Sequence, residues 1–206
     1  MGDRFQVIAD LDATAADAPR LADRVVAWLA AEGVVRAGRT RCVPGQPRGH
    51  PPGPHWERAV RDDWDRPPSD GLAVHTRRTG FTSGADLPDA AVCPRCTAPT
   101  PLDDTVWPRF SDAMRAWHDT GSAAVTCPAC AAPVAVPDWT WDDCPLALAH
   151  LGFEFWNWPD LDGAFRTRLT GLLDGHRTVY LWGACWRHPP YGLSRSTRQL
   201  PSGRAT

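Results

Sequence analysis

Four cysteines fall into two C-P-x-C turns, Cys93-Pro94-Arg95-Cys96 and Cys127-Pro128-Ala129-Cys130. Two thiolates separated by two residues can reach one ion from a single tight turn, and two such turns complete the tetrahedral shell that Zn²⁺ takes. Pro94 and Pro128, each directly after the first cysteine of its pair, stiffen the turn entry and bring no N–H of their own. A closed shell of four sulfurs leaves no position for water or substrate, so the metal expected here is structural rather than catalytic. Redox or disulfide chemistry of the C-x-x-C pairs, and iron in place of zinc, stay open as alternatives, although two pairs in one short region suit a shared ion better than two redox centres. His118 reads as a surface histidine of a helix. Cys42, Cys144 and Cys185 have no partner spacing, and Cys185 reads as a small core residue.

The elements that must position the cysteines can be read from periodicity. Arg4 to Leu11 alternates as a half-buried strand, and Leu21, Val25, Trp28 and Leu29 repeat at helical spacing, with Asp17 as cap, Pro19 in the first turn and Gly33 at the end. Residues 38–70 turn to Pro, Gly, Arg and Asp. They predict a long loop, either a binding loop or a partly ordered excursion, with a short helix over Trp56 to Trp64. Gly71 to Thr79 reads as a second strand, with Leu72 and Val74 on one face. Between the knuckles, Phe110, Met114 and Trp117 predict a helix that takes up a gap longer than the about 15–20 residues of compact sites. Leu151 to Trp158 then reads as a strand, Asp160 to Asp174 as a helix capped by Asp160 and closed by Gly175, and Thr178 to Trp186 as a last strand.

The order is β-α-β, insertion, β-α-β. This α+β pattern resembles the ferredoxin-like split βαβ fold (βαββαβ), and the cysteine segment resembles a zinc ribbon of the rubredoxin-like type, inserted between strands 2 and 3. The first resemblance implies a four-stranded sheet with both helices on one face. The second implies Cys93, Cys96, Cys127 and Cys130 as ligands at the tips of two hairpins. The expected organisation is a first half over residues 1–80, an inserted module over 88–137, a second half over 145–187 and a disordered tail over 188–206. The stretch Phe153-Glu154-Phe155-Trp156-Asn157-Trp158-Pro159 is similar to a segment of uncharacterised bacterial proteins with a central cysteine ribbon, a resemblance that implies no activity.

With Phe5, Val7, Leu72, Val74, Phe153, Phe155, Val179 and Leu181 assigned to the helix side, alternation sends Ile8, His75, Glu154, Trp156, Trp158, Tyr180, Trp182 and Trp186 to the other. Such an aromatic face needs a cover: another part of the chain, a protein partner or second copy anchored at Trp156, Trp158, Trp182 and Trp186, or stacked bases. Glu154, Asp10 and Asp160 beside it oppose phosphate. The net charge of -2, with every basic residue an arginine, gives no global field for nucleic acid or an anionic membrane, so a nucleic-acid role needs a local patch. No apolar run of membrane-spanning length and no secretory leader is apparent, which with closely spaced thiols points to the cytoplasm. No Gly-rich phosphate loop, G-x-S-x-G or H-E-x-x-H occurs. The sequence thus reads as a non-enzymatic zinc-binding protein acting through protein contacts. The alternatives are a nucleic-acid-associated ribbon protein, using Arg77, Arg78, Arg95, Arg109 and Arg115, and an enzyme of unknown reaction.

Overall fold

The alternating N-terminal segment forms strand β1 (Asp3–Asp10), and the helical stripe after it forms α1 (Asp17–Ala31), which buries Leu21, Val25 and Leu29. The structure, a computed structural model, describes residues 2–46, 48–83, 88–142 and 146–185, apart from the side chain of Cys185. The chain continues with β2 (Leu72–His75), β3 (Thr79–Thr82), β4 (Ala90–Val92), β5 (Pro99–Pro101) and α2 (Trp107–Thr120). After these come β6 (Ala124–Thr126), β7 (Pro133–Ala135), β8 (Thr140–Trp141), β9 (Leu146–Ala149), β10 (Leu151–Trp156), α3 (Gly163–Thr170) and β11 (Thr178–Cys185). No helix among the described residues is long and apolar enough to cross a membrane.

The described residues make a mixed α/β protein with three helices and several antiparallel sheets. The largest sheet has the order β11-β1-β10-β2, every neighbouring pair antiparallel. Smaller sheets pair β3 with β9, β5 with β4 and β8, and β6 with β7. All of these smaller strands lie in the sequence between β2 and β10.

Register decides which residues share a face. Ile8 lies opposite Phe153 and Tyr180, while Val7 lies opposite Glu154 and Leu181. Ile8, Leu72, Leu151, Phe153 and Phe155 therefore meet Leu21, Val25 and Leu29 of α1 and Phe165 and Leu169 of α3 in one core. Phe5, Val7, Ala9 and Leu181 face the other way, where Phe81 of β3 and Ala147 and Ala149 of β9 pack on them. This corrects the expected faces: β2 and β10 fall as read, but β1 and β11 are inverted. Both faces of the sheet are covered, so each strand carries apolar residues on both sides and alternation alone does not reveal which side meets the helices.

The β3–β9 ribbon seats closely. A Cβ on Gly152 would lie 2.3 Å from Phe81 Cζ, and one on Gly183 would lie 1.7 Å from the Ser83 carbonyl oxygen. His75 and Glu154 share this second face as a half-buried pair at 2.9 Å, with the Phe81 ring edge-on to the imidazole.

The Pro- and Gly-rich segment is built against the sheet. His50 exchanges two backbone hydrogen bonds with Leu72, of 2.8 and 2.9 Å, and so covers the outer edge of β2. Val60 forms an isolated bridge with Leu161, and a 3₁₀ turn over Trp56–Ala59 replaces the longer helix expected to Trp64. Helix α3 is also shorter than read. Asp162, not Asp160, caps it, its Oδ1 accepting from the N–H groups of Ala164 and Phe165 at 2.8 and 3.0 Å, and the helix ends well before Gly175.

At the far end of β1 the fully buried Asp10 accepts hydrogen bonds from the backbone N–H groups of Asp12 and Ala13, and His176 Nδ1 lies 2.9 Å from its carboxylate. This hydrogen bond to Asp10 raises the His176 pKa above its ordinary 6.5, against the opposing effect of burial. The folded value exceeds the unfolded one, so the contribution to stability is complete at acid pH and is lost as pH rises above about 6.5 through the folded value.

Two outcomes follow. Gly152→Ala lowers stability by about 1–3 kcal/mol in urea unfolding, because the added methyl forces Phe81 out of its seat; an unchanged midpoint would contradict the docking of the ribbon. Between pH 6 and pH 8, the stability difference between the native protein and His176→Gln shrinks as pH rises, and a constant difference would show that the Asp10–His176 contact is not charge-assisted.

Candidate metal centre

Two short hairpins carry the cysteines. The turn between β4 and β5 holds Cys93 and Cys96, and the turn between β6 and β7 holds Cys127 and Cys130. The two turns share one backbone pattern. Cys93 N–H donates to the Ala98 carbonyl at 3.1 Å and Thr97 N–H to the Cys93 carbonyl at 2.9 Å; Cys127 N–H donates to Ala132 and Ala131 N–H to Cys127, both at 2.9 Å. Thr97 and Ala131, each next after the second cysteine, adopt left-handed φ values of 58° and 55°. Both residues carry a Cβ in a region that favours glycine.

The turns face each other, and all four sulfurs lie within 4.8 Å of one another. Cys93 Sγ is 4.0 Å from Cys130 Sγ, and Cys96 Sγ is 3.7 Å from Cys127 Sγ. These separations are far beyond the about 2.05 Å of a disulfide. Four cysteines so arranged could hold a metal ion. The first cysteine of each pair is fully buried, Cys96 is partly covered and Cys130 is exposed, so the cluster sits at the rim of the module with one side toward solvent.

Helix α2 backs the cluster. Phe110 is fully buried with its ring edge-on to Trp139 at 5.0 Å and to Trp141 at 5.6 Å, and this group packs with Ala91, Val134, Cys93 and Cys127. The 30-residue gap between the pairs is thus filled as expected by a helix, wider than its three periodic residues indicated. On its other side Trp117 packs with Val136 and Leu148 of β9, and Arg78 donates to the Trp117 carbonyl at 3.1 Å. These contacts tie the module to the ribbon.

The Ala98 N–H lowers the Cys96 pKa, but burial and hydrogen bonding with the other three thiols prevail and push it up to about 12. The Cys130 N–H holds Cys127 down to about 7, helped by the Ala129 N–H and by the Cys130 and Cys93 thiols and opposed by burial. The backbone is thus arranged to stabilise thiolate at Cys127, the form that binds metal.

The other residues singled out in the sequence are scattered. Trp158 is buried in the helix-side core, with its ring edge-on to Phe155 and its Nε1 donating to the Asp70 carbonyl at 2.9 Å. Trp156 lies half-buried on the second face against Phe5, under the ribbon. Trp182, opposite Gln6 on the helix side of the sheet, is 68% exposed. Trp186 and Cys144 lie outside the described residues. His118 is exposed beside Asp119 and takes no part in the cluster, and Cys42 stands apart from it. Of the arginines near the knuckles, Arg78 is engaged at Trp117 and Arg115 pairs with Asp112. Sequence reading missed Phe81 and Leu148. The signal for Phe81 was Gly152 inside an otherwise large apolar run, which marks a close approach from above.

No protein-family model matches the chain, and no curated protein and no solved structure does.

If the left-handed turn residues are strained, Ala131→Gly stabilises the module by about 0.5–1 kcal/mol, measured as a higher denaturation midpoint of the tryptophan signal. A lower midpoint would contradict this turn geometry.

Proposed function

We propose that this chain is a non-enzymatic zinc protein in which a zinc ribbon, inserted in a ferredoxin-like α+β core, is held by Cys93, Cys96, Cys127 and Cys130. The single observation that carries the zinc reading is the sulfur spacing. A tetrahedron with metal–sulfur bonds of about 2.3 Å has edges of about 3.8 Å, and the Cys96–Cys127 and Cys93–Cys130 sulfur separations are 3.7 and 4.0 Å. Four thiolates on two rigid turns suit Zn²⁺, and the filled shell gives the ion no open position for catalysis. The ferredoxin-like reading is supported by the strand order β11-β1-β10-β2, which is the order 4-1-3-2 when the insertion is set aside.

The zinc would stabilise the fold of the module that Phe110, Trp139 and Trp141 complete, and the protein would act in the cytoplasm by binding. Contact with a partner or a second copy through four tryptophans is narrowed by burial, since Trp156 and Trp158 are occupied inside the fold and Trp182 is exposed. The surface around Trp182 is therefore the proposed binding surface.

Metal analysis of purified protein tests this reading. One zinc per chain is expected, lost in Cys93→Ser, and removal by a strong chelator should erase the near-UV signal of Trp139 and Trp141 while the main sheet persists. A metal-free native protein with all thiols reduced would overturn the zinc assignment.

A further inference from the structure

Trp182 does not stand on a bare surface. It lines a cleft of about 460 Å³ between β11, α3 and the turn after β10, together with Arg4, Arg61, Asp160, Arg166 and Tyr180. Three arginines from three separate parts of the chain thus line it with four aromatic residues, Phe5, Trp158, Tyr180 and Trp182, and with Asp160 as the single acid. Of the three acids expected to repel phosphate, Asp160 lines the cleft and two are elsewhere: Glu154 is on the opposite face, paired with His75, and Asp10 is at the other end of β1, held by His176.

The floor of the cleft is preorganised. Gln6 is buried, its Nε2 donating to the carbonyls of Trp158 and Pro159 at 3.3 and 2.9 Å, and its Oε1 accepting from the Leu161 N–H at 2.8 Å and the Tyr180 hydroxyl at 2.6 Å. Tyr180 is fixed by this bond and by the Arg166 guanidinium stacked 4.1 Å from its ring centre. Arg166 Nε is buried and has no hydrogen-bond partner among the described residues. A buried donor of this kind costs free energy until an acceptor reaches it. Arg4 and Arg166 form no ion pair with another described residue, and Arg61 pairs with the exposed Asp63 at 2.6 Å.

We infer that the cleft beside Trp182 binds a nucleotide, with its base stacked on the Trp182 indole and its phosphate held by Arg4, Arg61 and Arg166. The inference rests on the reading of the Trp182 surface as a binding surface and adds the chemistry of its ligand. An exposed indole next to a cluster of arginines offers a stacking plane and anion-binding forks in one place, which are the two elements of sequence-tolerant recognition of bases on a phosphate backbone. The volume admits one nucleotide. Arg4 also lines a neighbouring cleft of about 600 Å³ with Arg66, Asp3 and Asp70. The shared ligand chemistry can come from a free mononucleotide or from a nucleotide within a single strand.

The test is equilibrium binding to zinc-loaded full-length protein at low salt, with adenosine and uridine monophosphates by calorimetry, a labelled short oligothymidylate by anisotropy, and inorganic phosphate as the control. Saturable binding is expected for the mononucleotides, the oligonucleotide or both, and which of them binds identifies the source. Trp182→Ala should weaken it about tenfold or more while Trp182→Phe preserves it, and Arg61→Ala should weaken it and flatten its salt dependence. Circular dichroism and zinc content report that the variants remain folded. No binding of either probe by the native protein, binding indifferent to Trp182→Ala, or phosphate binding as strong as nucleotide would overturn the inference and leave the zinc reading intact. Turnover of a bound nucleotide would support the cleft and instead overturn the non-enzymatic reading.

Discussion

The packing of Phe81 against Gly152 joins the two parts of the molecule. A four-stranded sheet of this size has two faces, and here both are apolar: Ile8, Phe153 and Phe155 on one, Phe5, Val7 and Leu181 on the other. Two helices can cover only the first. Burying a side chain such as Phe5 or Leu181 contributes about 1.5–3 kcal/mol, which is lost wherever the second face stays wet. The β3–β9 ribbon supplies that cover, and it is the stem from which the cysteine module projects. The ribbon that leads into the cysteine segment is therefore also part of the core under the main sheet.

This placement connects the cysteine cluster to the main sheet through α2 and the ribbon. Trp117, Leu148 and Arg78 link α2 to the ribbon, and Phe110 links α2 to the sulfurs through Trp139 and Trp141. Around the cluster the strands are two or three residues long, too short to form a stable hairpin without help. A metal held by four thiolates would supply that help, and its influence would extend through α2 to the ribbon and so to the second face of the sheet.

Spacing and periodicity made parts of the protein legible. The cysteine pairs could be read because ligand geometry is encoded in two-residue intervals, and β1, α1, β10 and β11 because their apolar residues repeat at the period of the element. The faces of β1 and β11 could not be read, since Phe5, Val7 and Leu181 look like helix-facing residues until the ribbon is known to lie on them. The ribbon itself is eight residues from two segments far apart in sequence, with no period long enough to register. The cap of α3 was misplaced by two residues because Asp160 and Asp162 are chemically equal, and the chain direction after Pro159 decides between them. The cleft beside Trp182 needs three arginines from distant positions, which no linear motif joins.

Substitution by Co²⁺ tests the central claim, a tetrahedral four-thiolate metal site, most directly, because the visible spectrum of that ion reports coordination geometry and sulfur ligation together. Titration of the reduced, metal-free protein should give intense tetrahedral d–d bands and thiolate charge-transfer bands that saturate at one ion per chain and vanish on adding Zn²⁺. Weak six-coordinate bands, or a titration that never saturates, would contradict the account.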